Sequence, residues 1–199
     1  STLSPSSAAS DVYKRQINIP ISKNKINEKM SSFFAYAITF TVLALISGLK
    51  SINIGNDTQV YANLFYQSPS INTQLSGLFS QRFEGGYLIL NKLLYGLYPN
   101  VQLLFITISV IVVFCWLFTI HQFSSNISAS IFLFLTFRLY FMLLSNLRQS
   151  LAMGIVLISF YFLNKNKLLI SVLLTLFAAT FHVSALVFII YIPVSYTHL

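Results

Sequence analysis

The sequence predicts an all-α polytopic membrane protein, a multi-span helical bundle, and three observations carry that reading. Of its 199 residues, 56% are hydrophobic and only 8% charged, whereas an ordinary soluble domain carries about 25% charged residues. The mean hydropathy is +0.75. The apolar residues gather in long runs, several close to the roughly 20 residues that a helix needs to cross a hydrocarbon core of about 30 Å.

Charge narrows the function classes. Twelve Lys+Arg against four Asp+Glu give a net charge of +8, but the cations stand singly between apolar runs rather than on one polar face. They read as topological determinants, not as a nucleic-acid surface. Four acids are too few for a cluster of hard cations, and neither a metal nor another cofactor is expected. The single cysteine, Cys115, allows no internal disulfide.

Residues 1–16, STLSPSSAASDVYKRQ, are Ser/Ala-rich and lack an initiating Met. With the terminal VSYTHL of 194–199 they resemble adapter-derived read-through and are set aside from fold reasoning. Residues 17–32 form a polar cytoplasmic segment carrying Lys23, Lys25 and Lys29, and residues 33–193 form one helical transmembrane domain, read as an internal piece of a larger protein.

The first span is residues 33–49, followed by a polar outer loop over 50–83. Residues 84–98 (EGGYLILNKLLYGLY) place Tyr87, Leu90, Leu94 and Leu97 on one side of a helix, yet offer only about 22 Å and carry Lys92. They read as a short re-entrant or interfacial helix. Lys and Arg near span ends favour the cytoplasm, and the non-crossing reading puts Lys23, Lys25, Lys29, Lys165 and Lys167 together on that side. If the segment crossed, Lys165 and Lys167 would move outside. Residues 101–123 form the second span. Residues 127–163 would extend about 55 Å as one helix, so the chain must fold back at the polar SNLRQ of 145–149, giving spans 127–144 and 147–163. The fifth span, 168–192, begins after the NKNK of 164–167 and stops near Pro193.

This topology brings Asp57, Arg82, Glu84, Arg138, Arg148 and His182 toward one extracytoplasmic pocket. An Arg deep in a membrane helix needs a partner or water, which singles out Arg138, although snorkelling to the headgroups would also satisfy it. Arg148 sits at a helix end, where an Arg is cheap. His182 lies within a span beside Ser184, and interhelical hydrogen bonding is as good a reading of it as chemistry. His121 reads as interfacial, Met142 and Met153 as packing, and Trp116 as an interface anchor. The chain has no Asp-x-Asp pair, phosphate loop, H-E-x-x-H or G-x-S-x-G. ATPase, zinc protease and serine hydrolase readings are therefore weak. Arginines can neutralise a leaving diphosphate without a metal, because the guanidinium fork matches phosphate oxygens.

Four patterns occur in order. They are Gly55-Asn-Asp57-Thr58 with Tyr61, Glu84-Gly-Gly86-Tyr87 leading to Asn91, Asn146-Leu-Arg148-Gln149 with Ala152, and Phe181-His182-Val-Ser184-Ala185-Leu186. Together they resemble the EpsG family of bacterial exopolysaccharide proteins, relatives of Wzy-type polymerases. The resemblance implies a GT-C-like fold in the bacterial cytoplasmic membrane. It also implies polymerisation of undecaprenyl-diphosphate-linked oligosaccharide units on the outer face, alongside other exopolysaccharide assembly proteins. On that reading Arg148, Arg138 and Arg82 bind the diphosphate, and Glu84, His182 or Asp57 deprotonates the acceptor hydroxyl, with Glu84 slightly favoured. Asn146, Gln149, Ser184 and Tyr87 support them. Two departures stand out: the family commonly has Pro where this chain has Gly85, which loosens the start of that helix, and its proteins have further spans beyond the His-x-Ser pattern. A flippase for the same units would also use arginines, but would show polar groups reaching both faces. A non-catalytic membrane subunit would tolerate substitution of Arg138, Arg148 and His182.

Overall fold

The structure, a computed structural model, describes residues 21–70 and 83–197. The described residues are helical and contain no strand. In order they form α1 (Ile21–Gly48), α2 (Thr58–Gln67), a 3₁₀ turn (Ser68–Ser70), α3 (Gly85–Leu97), α4 (Val101–Phe123), α5 (Ile127–Thr136), α6 (Leu139–Ser145), α7 (Leu147–Asn164), α8 (Leu168–Ala179), a second 3₁₀ turn (Val183–Leu186) and α9 (Val187–Thr197). The chain divides into two compact units, Ser1–Thr41 and Val42–Leu199. In the described part of the first unit, the Thr39 and Thr41 hydroxyls donate to the carbonyls of Ala35 and Ala37, each at 2.8 Å. Each hydroxyl is thereby satisfied inside its own helix.

Two helices, Val101–Phe123 and Leu147–Asn164, are long and apolar enough to cross a membrane, and a third crossing is possible if the bent pair α5–α6 counts as one. The apolar stretches Phe33–Gly48, Leu168–Ala179 and Val183–Pro193 are shorter. Local signals account for the helix ends. Asn100 and Asn126 act as N-caps of α4 and α5, their side chains accepting from the Gln102 N–H at 2.9 Å and the Ala129 N–H at 3.1 Å. Asn166, in the NKNK turn, takes the left-handed conformation (φ 57°) that reverses the chain between α7 and α8.

The core of the second unit is α7 between α4 and α8. Gly154 lets α7 approach α4, since a Cβ there would lie 3.3 Å from the Cys115 Cβ. Across the α7–α8 hairpin, Ser159 Oγ lies 2.9 Å from both Ser171 Oγ and Thr175 Oγ1 and donates to the Ser171 carbonyl at 2.7 Å. Hydrogen bonds of this kind hold apolar helices together where lipid gives no hydrophobic drive.

Two of the expected straight spans are broken. Between α5 and α6 the axis bends by 46°, and Arg138 at the break is left-handed (φ 61°) and exposed. The stretch expected as one helix over 168–192 stops at Ala179, continues through an extended His182 and a 3₁₀ turn, and resumes as α9, which runs on through Pro193. The buried side of α3 also differs from the expected stripe. It consists of Tyr87, Leu88, Asn91 and Leu94, while Leu97 is exposed.

Candidate functional site

Glu84 is the hub of the site. It occupies the N-cap position of α3 in an extended conformation (φ −66°, ψ 142°), with no side-chain capping bond. Its carboxylate is therefore free to reach other segments. One oxygen accepts from Arg148 Nη1. The other lies 2.8 Å from His182 Nδ1 and accepts from the Val183 N–H at 3.3 Å. The three side chains retain 20–26% of their exposure, sheltered enough to strengthen their interactions and open enough to meet a ligand.

Each member has a local reason for its position. Arg148 lies in the first turn of α7, framed by Asn146 at the N-cap and Gln149 at the third helical position, the spacing of a capping box. The Asn146 side-chain amide donates to Gln149 Oε1 at 3.4 Å. The guanidinium carbon lies 4.6 Å from the centre of the Phe83 ring and 6.0 Å from that of Tyr61, within cation–π range. Its Nε is buried without a partner. His182 is extended at the break between α8 and the 3₁₀ turn, so its ring leaves the helical ladder and turns to Glu84. Tyr87 is fully buried beneath the site, edge-on to Tyr61 with ring centres 5.7 Å apart.

The glycines of the Glu84-Gly-Gly86 pattern have different jobs. The Gly86 N–H donates to the Thr180 carbonyl at 2.9 Å, and a Cβ at Gly86 would sit 2.3 Å from Thr180 Oγ1 and 2.7 Å from that carbonyl oxygen. This contact docks the start of α3 on the segment that presents His182. Gly85 is the first residue of α3, where proline is welcome. Glu84 already has the extended backbone that precedes a proline. Gly85→Pro is therefore expected to stabilise the protein by about 0.4–1 kcal/mol, and Gly86→Ala to destabilise it by about 1–3 kcal/mol through overpacking. Thermal unfolding in detergent reads both, and a melting temperature raised by Gly86→Ala would contradict the docking role.

Electrostatics separate the roles further. Partial burial alone would push the Glu84 carboxyl up. Hydrogen bonds from its own backbone N–H and His182, the Arg148 charge and the Val183 N–H outweigh burial and hold it below the ordinary carboxylate value. It is thus a settled anion at neutral pH. In a neutral imidazole, an anion facing Nδ1 places the hydrogen on that nitrogen and leaves Nε2 as the acceptor.

Of the six residues expected to converge, Glu84, Arg148 and His182 are directly bonded to one another through Glu84. Asp57 is exposed at the N-cap of α2 and is not among their partners. Arg138 is exposed at the α5–α6 break, and Arg82 lies outside the described residues. Gln149, next to Arg148 in sequence, and Ser184, two residues after His182, line a groove of about 550 Å³ that continues along Ala152, Met153, Phe160 and Tyr191 between α7 and α9. One residue absent from the sequence expectations, Lys50, is 4% exposed and donates to the Leu144 carbonyl, to the Leu143 carbonyl at 3.5 Å and to Thr58 Oγ1 at 3.4 Å. Its position just after an apolar run reads only as the start of the outer loop. Among the described residues no group of three or more His, Cys, Asp or Glu forms a candidate metal site.

A family model described as the EpsG family matches residues 33–199. No curated protein and no solved structure matches the chain.

Proposed function

Because the chain belongs to the EpsG family of exopolysaccharide-related, polymerase-like membrane proteins, we propose that it joins lipid-diphosphate-linked oligosaccharide repeat units by glycosyl transfer on the extracytoplasmic face. The observation that carries this reading is the Glu84 carboxylate holding Arg148 on one oxygen and His182 on the other, beside a groove that is polar at the Gln149–Ser184 end and apolar beyond. An amphiphile with an anionic head and a hydrocarbon tail matches that gradient.

In the proposed reaction the acceptor hydroxyl gives its proton to His182 Nε2 as its oxygen bonds the donor sugar C1. The bond from C1 to the diphosphate oxygen breaks, and the leaving polyprenyl diphosphate carries the negative charge. Arg148 and the positive end of α7 stabilise that charge, with Arg138 and Arg82 as further cations and Asn146, Gln149, Ser184 and Tyr87 as supports. Glu84, already a settled anion, orients the histidine rather than taking the proton itself. Asp57 stands apart as a further carboxylate candidate. In this reading arginines, rather than a metal, neutralise the leaving diphosphate.

Sidedness draws support from α7. Arg148 and the Lys165/Lys167 turn flank a helix of 18 residues, about 27 Å long, so lysines on the cytoplasmic side leave Arg148 at the outer face. The test is to delete the gene and follow lipid-linked precursors by mass spectrometry, leaflet by leaflet. Single repeat units accumulating on the outer leaflet, with polymer restored by the gene, is the expected result. Units trapped on the inner leaflet would make the protein a flippase.

A further inference from the structure

Lys50 is a buried cation with no carboxylate partner among the described residues, and the proposed chemistry does not use it. In a continuous helix the carbonyls of Leu143 and Leu144 would accept from the N–H groups of residues 147 and 148. The chain instead breaks at Asn146 (φ −107°, ψ 68°), the residue that ends α6 and begins α7. The two carbonyls freed by the break are orphans of a helix C-terminus, the negative end of its dipole. Lys50 Nζ takes both, and Thr58 Oγ1 lies 3.1 Å from the Leu144 oxygen. Gly55, left-handed at φ 98°, brings its backbone against the same carbonyl, where a Cβ would lie 2.0 Å from the oxygen. The Gly55–Thr58 pattern is thus a clasp on the elbow two to four residues before Arg148.

We propose that Lys50 is a positioning residue: by binding the carbonyls opened at the α6–α7 elbow it fixes the direction of the first turn of α7, and so the approach of Arg148 to Glu84. This rests on the place given to Arg148 in the proposed site, but the elbow itself can be tested without activity. The group facing Lys50 from α2 is the Thr58 hydroxyl, from α4 the Phe105 ring at 5.1 Å, and from α6 the two carbonyls. No acidic or basic side chain among the described residues is hydrogen-bonded to it. Burial pushes its ammonium down to about 8. Above that pH the clasp loses its charge, while the unfolded chain keeps the proton up to the ordinary value of 10.5. The unfolded state then binds more protons, so global stability rises with pH from 8 to 10.5. Loss of positioning and loss of stability consequently move in opposite directions.

The experiment is hydrogen exchange by mass spectrometry on the protein in nanodiscs, for wild type, Lys50→Met and Lys50→Arg, with turnover of lipid-linked repeat units in the same preparations at pH 7 and 9. Lys50→Met should speed exchange of the Asn146 and Ser150 amides at least about tenfold and lower turnover by a similar factor. Lys50→Arg, which stays charged, should keep both near wild type and abolish the fall in turnover between pH 7 and 9. Unchanged exchange at the elbow in Lys50→Met overturns the proposal whatever turnover does. A wild-type protein that makes no polymer overturns the proposed function instead, and the exchange arm still decides the role of Lys50.

Discussion

Arg148→Lys is expected to lower polymerisation about 100-fold or more and to shorten the polymer to a few repeat units, while leaving the protein folded. The magnitude is that of removing one preorganised donor from a developing negative charge. In the proposed role the side chain does two things at once: Nη1 holds Glu84, and the same guanidinium, a fifth exposed beside the Phe83 and Tyr61 rings, meets the diphosphate. Lysine supplies a point charge on a flexible stem. It can still pair with Glu84, which preserves the fold, but it cannot serve the carboxylate and a diphosphate in one fixed plane. Chain length on gels, with initial rates from purified protein in vesicles, measures the effect. Polymer of wild-type length at a wild-type rate would remove Arg148 from the diphosphate role.

His182→Gln should cost about 10²- to 10⁴-fold in rate, the range for a lost general base, with binding of the lipid-linked substrate little changed. Glu84→Gln tests the link between the two residues. The amide keeps the shape but loses the anion that pins the hydrogen on Nδ1, so the rate should fall even though the imidazole remains. Stability gives an independent check. The Glu84 carboxyl is held below its ordinary value, so its contribution is fully present above the unfolded-chain value and is lost as pH falls through the lower folded one. Wild type should therefore lose melting temperature on acidification more steeply than Glu84→Gln. Parallel slopes for the two proteins would mean that the carboxylate is not stabilised in the fold.

Much of this arrangement was legible in the sequence, and the reasons for the rest are physical. Hydropathy reports the transfer of side chains into lipid, so it located the apolar helices and the polar turns at 145–149 and 164–167. It is silent on helix continuity when both sides of a break are apolar. The stretch FLFLTFRLYFMLL, residues 132–144, contains neither Gly nor Pro, yet it breaks at Arg138. The break before His182 had a faint signal in the alternation of Thr180, His182 and Ser184, which an apolar average hides. Glu84, Arg148 and His182 were identified as candidates, but their sharing of one carboxylate depends on segments 64 and 98 residues apart. Asp57 stands beside the favoured Glu84 as a candidate base in the sequence because charge alone does not say which acid meets Arg148 and His182. Lys50 carries no such signal because its partners are two backbone carbonyls and a hydroxyl, none of which marks a cation site in the pattern of charged side chains.

The order of the site residues along the chain has a consequence for biogenesis. Glu84 and Arg148 emerge from the ribosome before His182, so the first oxygen of the carboxylate can be claimed while the second still faces water. Only when residues 182 and 183 arrive do the imidazole and the Val183 N–H close that second oxygen. His182 thus gains its facing anion as the last of these three segments is inserted, and a nascent chain halted before that point carries the cluster incomplete.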